Sequence, residues 1–386
     1  MYNIQTLNKI AAIGTCRFDT ANYTVGEDVT SPDAIMVRSA KMHDMEFEPN
    51  LLAIARAGAG VNNIPVDKCA EQGIVVFNTP GANANAVKEL AICALLLASR
   101  KITEAAAWAA SLKGTPDAPK TVEGGKAKFA GPEIYGKTLG IIGLGAIGGK
   151  IANAAVSLGM KVIGYDPYLS VNGAINLSRK VKVTTDINDI YTESDYITLH
   201  VPYTADNKNM IDKEQFNMMK DGVRIINLAR GELINSESIV KAIADGKVAK
   251  YVTDFADDVV LGVEDVIVLP HLGASTPESE DNCAVMAADE LMDYIENGNI
   301  KNSVNFPNAM MNATGTKVCI LHKNIPNVIA QITTACGDAG LNIDNMVNAS
   351  KKDYAYTMID VAGDVTDAVA EKMAAVEGII KVRVIK

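Results

Sequence analysis

Lys137 to Gly149 reads KTLGIIGLGAIGG, and the fold turns on how this stretch is read. Leu139, Ile141, Ile142 and Leu144 are apolar and lie among glycines, which predicts a buried strand running into a tight turn. Gly143, Gly145 and Gly148 make the pattern G-x-G-x-x-G. The first glycine permits the turn. The second lets a pyrophosphate approach backbone N–H groups, and the third lets the next helix pack close to the strand. Ala146 and Ile147 lie inside the same turn and join the cofactor-contacting set. Ile147 to Leu158 predicts a helix and Lys161 to Tyr165 the next strand. Asp166 ends that strand about 20 residues past the glycines, where an acid accepts from a ribose 2′-OH. The stretch therefore predicts a dinucleotide site. Asp166 favours NAD over NADP, whose 2′-phosphate would meet a like charge.

A chain of 386 residues exceeds one ordinary core, so two or three domains are expected. Its 36 basic and 46 acidic residues give a net charge of −10, which argues against nucleic acid or an anionic membrane as partner. The start, MYNIQTLNKIAAIG, has no charged segment leading into a long apolar core, so no secretory signal is expected. No apolar run reaches membrane-spanning length. Cys16, Cys69, Cys93, Cys283, Cys319 and Cys336 are scattered without a C-x-x-C pair, which suits free thiols in a reducing cytoplasm. No His, Cys or Asp cluster has metal-ligand spacing, so no metal is expected. Nucleophile elbows and the phosphate-binding G-x-x-x-x-G-K-[ST] loop are also missing.

Taken from the start, residues 1 to about 100 alternate short apolar strands with helices, which predicts a parallel α/β domain without a glycine motif of its own. Strands are expected over Lys9–Ile13, Ala34–Arg38, Leu51–Ala57 and Val75–Asn78, with a long buried helix over Ala84–Arg100. Ser111 to Gly136 mixes Gly, Pro and Lys with weak periodicity and reads as a loop or arm. Lys137 to about Ala274 carries further strands at Val181, Tyr196, Val223, Val248 and Val266, the doubly wound parallel pattern. Glu278 to Asn297 reads as a charged amphipathic helix stopped by Gly298, followed by a linker-like NSVNFPNAMMN. From Thr316 onward the order is β-α-β-β-α-β, the ferredoxin-like succession.

Three places carry candidate chemistry. Arg230 ends a strand in NLARGELI, His271 follows one in VLPHLGAS, and Asp254, Asp257 and Asp258 close a third in VTDFADDVV. Strand C-terminal ends of a doubly wound sheet face the ligand crevice. A guanidinium there binds a carboxylate through two parallel hydrogen bonds, and an imidazole moves a proton near neutral pH. A neighbouring carboxylate orients that imidazole and favours its charged form. His43 reads as a surface residue.

These motifs resemble the D-isomer-specific 2-hydroxyacid dehydrogenases over essentially the whole chain. The resemblance is carried by VRS at Val37–Ser39, ARAGAGVNNI at Ala55–Ile64, VVFNTPGANANAVKEL at Val75–Leu90, GLGAIG, and YDP at Tyr165–Pro167. It continues through HVP at His200–Pro202, INLARG at Ile226–Gly231, PHLGAST at Pro270–Thr276 and NSVNFP at Asn302–Pro307. It implies two doubly wound parallel-sheet domains, Rossmann- and flavodoxin-like, plus a ferredoxin-like βαββαβ module. A discontinuous substrate domain (1–88 and 278–307) would flank an NAD domain (89–277), with the active site in the cleft. A linker (308–314) and a C-terminal module (315–386) would follow. His271 would be the acid/base. Arg230 would hold the substrate carboxylate, with the N–H groups of Gly58, Ala59 and Gly60. Arg38 and Ser39 would reach the substrate, and Lys41 is a further candidate for a substrate phosphate. His200, Val201, Pro202, Leu228, Ala229, Arg230, Asp254, His271 and Gly273 would face the cofactor.

The resemblance further implies a small 2-hydroxy acid as substrate, either 3-phosphoglycerate, at the first step of serine synthesis, or a relative such as hydroxypyruvate or glyoxylate. It also implies a cytoplasmic homo-oligomer, a dimer or tetramer. The tail resembles an ACT domain through ILHKNIPNV and GLNID, which puts His322, Asn324 and Asn342 at positions contacting L-serine as effector. One departure is clear. The family's glutamate five residues past the aspartate matching Asp254 is Val259 here. Either Asp258, one residue earlier, supports His271, or the carboxylate role is weakened. A scaffold that senses NAD without turnover would rest on that departure alone.

Overall fold

The structure, a computed structural model, describes residues 1–312 and 314–386. Residue 313, inside the expected linker, lies outside the described residues. The chain forms two compact units, Met1–Asn83 with Pro277–Lys386, and Ala84–Thr276.

The first unit opens with β1 (Tyr2–Leu7), β2 (Tyr23–Gly26), β3 (Ala34–Val37), β4 (Ala53–Arg56) and β5 (Val75–Asn78). They pair in parallel in the order β2-β1-β3-β4-β5, the flavodoxin-like arrangement. β3, β4 and β5 are buried on both faces, so their sequences are continuous apolar runs. The first strand does not fall at Lys9–Ile13. It lies earlier, in YNIQTL, where only Ile4 and Thr6 point inward and the apolar signal is thin. Ala12–Thr15 is instead a short helix pressed on the helix Pro277–Asn297, where a Cβ on Gly14 would stand 2.6 Å from Ala284. The edge strand β2 also escaped the pattern, because it buries one residue.

The second unit contributes β6 (Thr138–Ile142), β7 (Lys161–Tyr165), β8 (Val181–Thr184), β9 (Tyr196–Leu199), β10 (Val223–Asn227), β11 (Val248–Thr253) and β12 (Val266–Val268). All seven are parallel, in the order β12-β11-β10-β9-β6-β7-β8. The winding reverses between β6 and β9, and this switch point is where such sheets bind ligands. The helix Ala84–Ser99 packs Ala91, Ala94, Leu95 and Ala98 into the same core. Ser111 to Gly136 is not simply a loop. It follows the helix Ile102–Ser111 and contains the helix Ala118–Gly125 and a 3₁₀ turn, Lys126–Phe129. These three segments bury no residue, although Ile102–Ser111 is largely apolar in sequence.

The chain ends with β13 (Thr316–Lys323), the helix Val328–Asp338, β14 (Asn342–Lys351), β15 (Tyr354–Ala362), the helix Asp367–Ala374 and β16 (Ile379–Ile385). The strands form an antiparallel sheet in the order β14-β15-β13-β16. On one face Val318, Ile320, Ile359 and Val361 pack against the two helices. On the other, Cys319, Leu321, Tyr356 and Met358 share a core with Tyr294, Ile300 and Phe306. Cations complete that junction. Arg383 donates to the carbonyls of Tyr294 and Ile295, and Lys317 to those of Asn297 and Met311. The Tyr356 hydroxyl donates to the Gly298 carbonyl at 2.6 Å. Most of these carbonyls close the last turn of Pro277–Asn297, where acceptors lack helical partners and a positive charge is favourable.

Candidate active site

The glycine turn leaves β6 with Gly143 at φ +95°, a conformation that favours glycine. A Cβ there would stand 2.5 Å from the His200 carbonyl, and one on Gly148 would stand 1.9 Å from the Gly143 carbonyl. A Cβ on Gly145 would meet nothing within 4 Å, so that backbone is open to a ligand. Asp166 fastens the turn to β7. Its Oδ2 accepts from the Leu144 N–H and its Oδ1 from the Tyr168 N–H, both at 2.9 Å. Each carboxylate oxygen keeps a second lone pair for a hydroxyl. A cavity of about 590 Å³ opens here, lined by Gly145, Ala146, Lys150, Asp166 and Tyr168. Lys150, overlooked in the sequence, gives it a cation. The turn, the N-terminus of the helix Gly148–Ser157 and Asp166 together fit a dinucleotide.

His200 stands behind this turn. Its Nε2 lies 2.8 Å from Thr198 Oγ1, and burial pushes the imidazole down to about 3, so the ring is neutral at physiological pH. It is a packing element of the turn rather than a proton carrier.

The ends of β10, β11 and β12 lie side by side and are followed by Arg230, Asp254 and His271. Buried Asn227 shapes the loop after β10. Its Oδ1 accepts from the N–H groups of Ala229 and Arg230, and its Nδ2 donates to the Arg230 carbonyl. Leu228 and Ala229 are buried beneath, and Arg230 Nη1 donates to the Ala229 carbonyl at 2.7 Å. Asp254 follows β11 with its side chain 2% exposed, and its Oδ2 lies 3.3 Å from His271 Nδ1. Burial raises the Asp254 carboxyl above its usual value, opposed by the His271 and Arg230 charges. The His271 side chain is 60% exposed and meets the Phe255 ring edge-on, with centroids 5.1 Å apart. Gly273 follows, packed near Val87.

The carboxylate beside His271 is thus Asp254, not Asp258. Asp258 is exposed in the turn after β11. The neighbouring Asp257 holds that turn, accepting from the N–H groups of Val259 and Val260 and from Ser236 Oγ. With Asp254 in contact, the valine at 259 leaves His271 with its carboxylate.

In the first unit, Arg38 and Arg56 stand at the ends of adjacent strands β3 and β4. Arg56 Nε donates to the Arg38 carbonyl at 3.1 Å, and Arg38 Nη2 pairs with Glu280 Oε1 at 2.6 Å. The Arg56 guanidinium lies so close to Gly58 that a Cβ there would stand 2.3 Å from Nη1. Burial, with Arg38 nearby, lowers the Arg56 pKa. The sequence reading missed Arg56, although its strand-end place in ARAG was the available signal. Ser39 N–H donates to Asn8 Oδ1 at 3.0 Å, and the Ala59 carbonyl accepts from Asn78 Nδ2 at 2.5 Å.

The residues assigned to an effector do not meet in one chain. His322 is 3% exposed, with Nδ1 2.8 Å from the Lys323 carbonyl and Nε2 2.9 Å from Thr357 Oγ1. Both ring nitrogens are engaged inside the sheet, which argues against a ligand role. Asn324 donates to the Lys352 carbonyl and Asn342 to Asp344 Oδ1. In register, His322 faces Ala355 and then Ser350, whereas Asn342 faces Ala362. The eight residue steps from Asn342 to Ser350 span about 26 Å of β14.

Residues 92–273 match the family described as D-isomer specific 2-hydroxyacid dehydrogenase, NAD binding domain. Hydroxypyruvate reductase of Thermotoga maritima is 37% identical over 271 residues, covering 67% of this chain and 83% of that protein. The chain belongs to the D-isomer-specific 2-hydroxyacid dehydrogenases. Among these dehydrogenases it is also similar to D-3-phosphoglycerate dehydrogenase of Methanocaldococcus jannaschii, 35% identical over 317 residues and 79% of this chain. The match covers 58% of that relative's length. The solved NAD⁺-bound 3-phosphoglycerate dehydrogenase of Entamoeba histolytica aligns with a TM-score of 0.59 and 26% identity, covering 80% of this chain and 99% of that one. As a member of this family the chain carries its NAD-binding domain around the glycine turn. Among the described residues no helix is long and apolar enough to cross a membrane, and no group of three His, Cys, Asp or Glu could hold a metal ion.

Proposed function

We propose that this chain is an NAD-dependent dehydrogenase that oxidises 3-phospho-D-glycerate to 3-phosphohydroxypyruvate. The observation that carries this reading is the pair Arg38 and Arg56 on neighbouring strand ends. Two guanidiniums suit a phosphate dianion and exceed what hydroxypyruvate or glyoxylate needs. Gly58, Ala59, Gly60 and Arg230 hold the substrate carboxylate. His271 takes the C2 hydroxyl proton as the C2–H bond breaks, and Asp254 steadies the imidazolium that forms. NAD, when bound, supplies the hydride acceptor. Gly143, Gly145, Ala146, Ile147 and Gly148 seat its pyrophosphate, and Asp166 accepts from its ribose.

The C-terminal βαββαβ module is read as a ferredoxin-like ACT domain with L-serine as effector. Asn324 and Asn342 lie too far apart along the sheet for one small ligand. A serine site using both therefore draws on two copies of the chain, which fits a cytoplasmic homo-oligomer.

A second reading, reduction of hydroxypyruvate or glyoxylate, is favoured by Glu280, which already neutralises Arg38. Comparing kcat/KM for phosphohydroxypyruvate and hydroxypyruvate separates the two. A preference of about 100-fold for the phosphorylated acid, abolished in Arg56→Met, is expected. Equal values in the unaltered enzyme would give the second reading the better claim. Lack of turnover on every 2-oxo acid tried would favour the sensing scaffold.

A further inference from the structure

A cavity of about 620 Å³ on the first unit plays no part in the chemistry above, and its size suits a small-molecule ligand. The helix Pro277–Asn297 lines it with Met286, Asp289, Glu290 and Asp293, and Lys301 and Asn302 follow from the next loop. Glu290 is the unexpected member. It lies between Ala287, Ala288 and Leu291, all buried, and is itself only 7% exposed. Its Oε1 accepts from Asn302 Nδ2 at 2.7 Å, while its Oε2 has no hydrogen-bond partner among the described residues. A buried carboxyl oxygen without a partner is costly. The other acids are engaged. Asp289 pairs with Arg17, and Asp293 accepts from Asn297 and Asn299. Lys301 forms no ion pair among the described residues and is exposed at the same cavity.

The cavity thus presents an unmatched ammonium, and just beneath its wall lies a carboxyl oxygen with no partner among the described residues. A diamine would bring a second cation to Lys301, and a dicarboxylate would bring further negative charge to Asp289 and Asp293. We propose that this cavity is a binding site for a zwitterionic amino acid, its ammonium group on Glu290 and Asp293 and its carboxylate on Lys301. This proposal does not depend on the substrate reading.

Burial holds the Glu290 carboxyl up to about 8, with Asn302 and Lys301 opposing and Asp289 reinforcing. An arriving ammonium favours the ionised form, so binding below that value releases a proton. Arg17, Asp289, Asp293 and Lys301 are the other charged groups there, and none is asked to change state.

The test is calorimetric titration of the full chain with glycine, L-serine, putrescine and succinate at pH 6.5, in two buffers of different ionisation heat. Glycine and L-serine should bind with release of about one proton. Glu290→Gln should abolish that release, and Lys301→Met should weaken binding at least tenfold. Because Lys301 is exposed, the second variant tests the site even if the first folds poorly. Binding at a serine site in the C-terminal module would instead respond to Asn324→Ala and leave the glycine titration of Lys301→Met unchanged. The proposal falls if neither amino acid gives heat at 10 mM, a chosen ceiling of about 2.7 kcal/mol in binding free energy. It also falls if putrescine or succinate binds as well as they do, or if Lys301→Met leaves binding intact.

Discussion

His271 and His322 have the same side chain near the end of a strand, yet the fold gives them opposite fates. His271 follows β12 with one nitrogen against buried Asp254 and most of the ring exposed. His322 lies within β13, buried, with both nitrogens engaged by Lys323 and Thr357. Burial also lowers the His322 pKa. A proton carrier needs one nitrogen fixed and the other reachable by substrate, and only His271 meets both conditions. His322 is a polar rivet in a strand buried on two faces.

The largest test of this contrast is substitution at each histidine. His271→Asn should lower kcat/KM by about 10³-fold, and Asp254→Asn by about 10²-fold with the pH profile altered. His322→Asn should stay within roughly twofold of the unaltered enzyme. Its effect should appear in stability, as a loss of about 1–3 kcal/mol for unmatched buried groups. Asp258→Asn should behave like the unaltered enzyme. If Asp258→Asn were damaging and Asp254→Asn harmless, the assignment of the supporting carboxylate would reverse.

A second comparison sets the sheet of the second unit against that of the C-terminal module. The parallel sheet holds its own core, whereas the antiparallel one completes its outer face with residues of the helix Pro277–Asn297 and its surroundings. Arg383 is central to that junction, donating to Tyr294 and Ile295 and lying 4.7 Å from the Tyr294 ring centroid. Arg383→Met should cost roughly 2–4 kcal/mol, read as a lower denaturation midpoint. An unchanged midpoint would mean that the apolar contacts alone hold the module.

Most of this was legible where local chemistry and fold agree. Gly143, Gly145 and Gly148 announce their strand, turn and helix because Gly143 and Gly148 meet steric needs of the turn itself, while Gly145 leaves backbone open to a ligand. Arg230 and His271 stand out because apolar strands deliver them to a polar rim. Other features depend on distant partners. Spacing along the chain suggested Asp258, but the contact depends on which side chain the end of β11 points at β12. KVCILHK has no alternation because both faces of β13 are covered, so nothing in it tells whether His322 points at a ligand or at Thr357. Arg56 was masked by the glycines after it, which drew attention to backbone N–H groups.

Two titratable groups shifted by desolvation give opposite pH signatures. Glu290 is raised from 4.5 to about 8, so its contribution to stability is present at low pH and is lost as pH rises through that window. His200 is lowered from 6.5 to about 3, so its contribution is present above 6.5 and is lost as pH falls toward 3. Denaturant unfolding as a function of pH should show Glu290→Gln flattening the slope between pH 5 and 8 and gaining most, relative to the unaltered chain, near pH 8. An unchanged slope there would show that Glu290 ionises freely in the folded protein.

The smallest expected effect bears on Arg38 and Arg56, which differ in what already holds them. Arg56 leans on backbone, through the Arg38 carbonyl, whereas Arg38 is held by the Glu280 carboxylate. A substrate phosphate reaching Arg38 must compete with that carboxylate, which is a like charge. The pair is 41% exposed on each side and therefore weak. Glu280→Gln should lower KM for phosphohydroxypyruvate by roughly two- to fivefold while leaving hydroxypyruvate unaffected, because only the phosphorylated acid brings the competing charge. The difference should shrink in high salt, which screens exposed charges beyond a few ångströms. Equal changes for both acids would place Glu280 in general packing and remove Arg38 from phosphate recognition, leaving Arg56 to act alone.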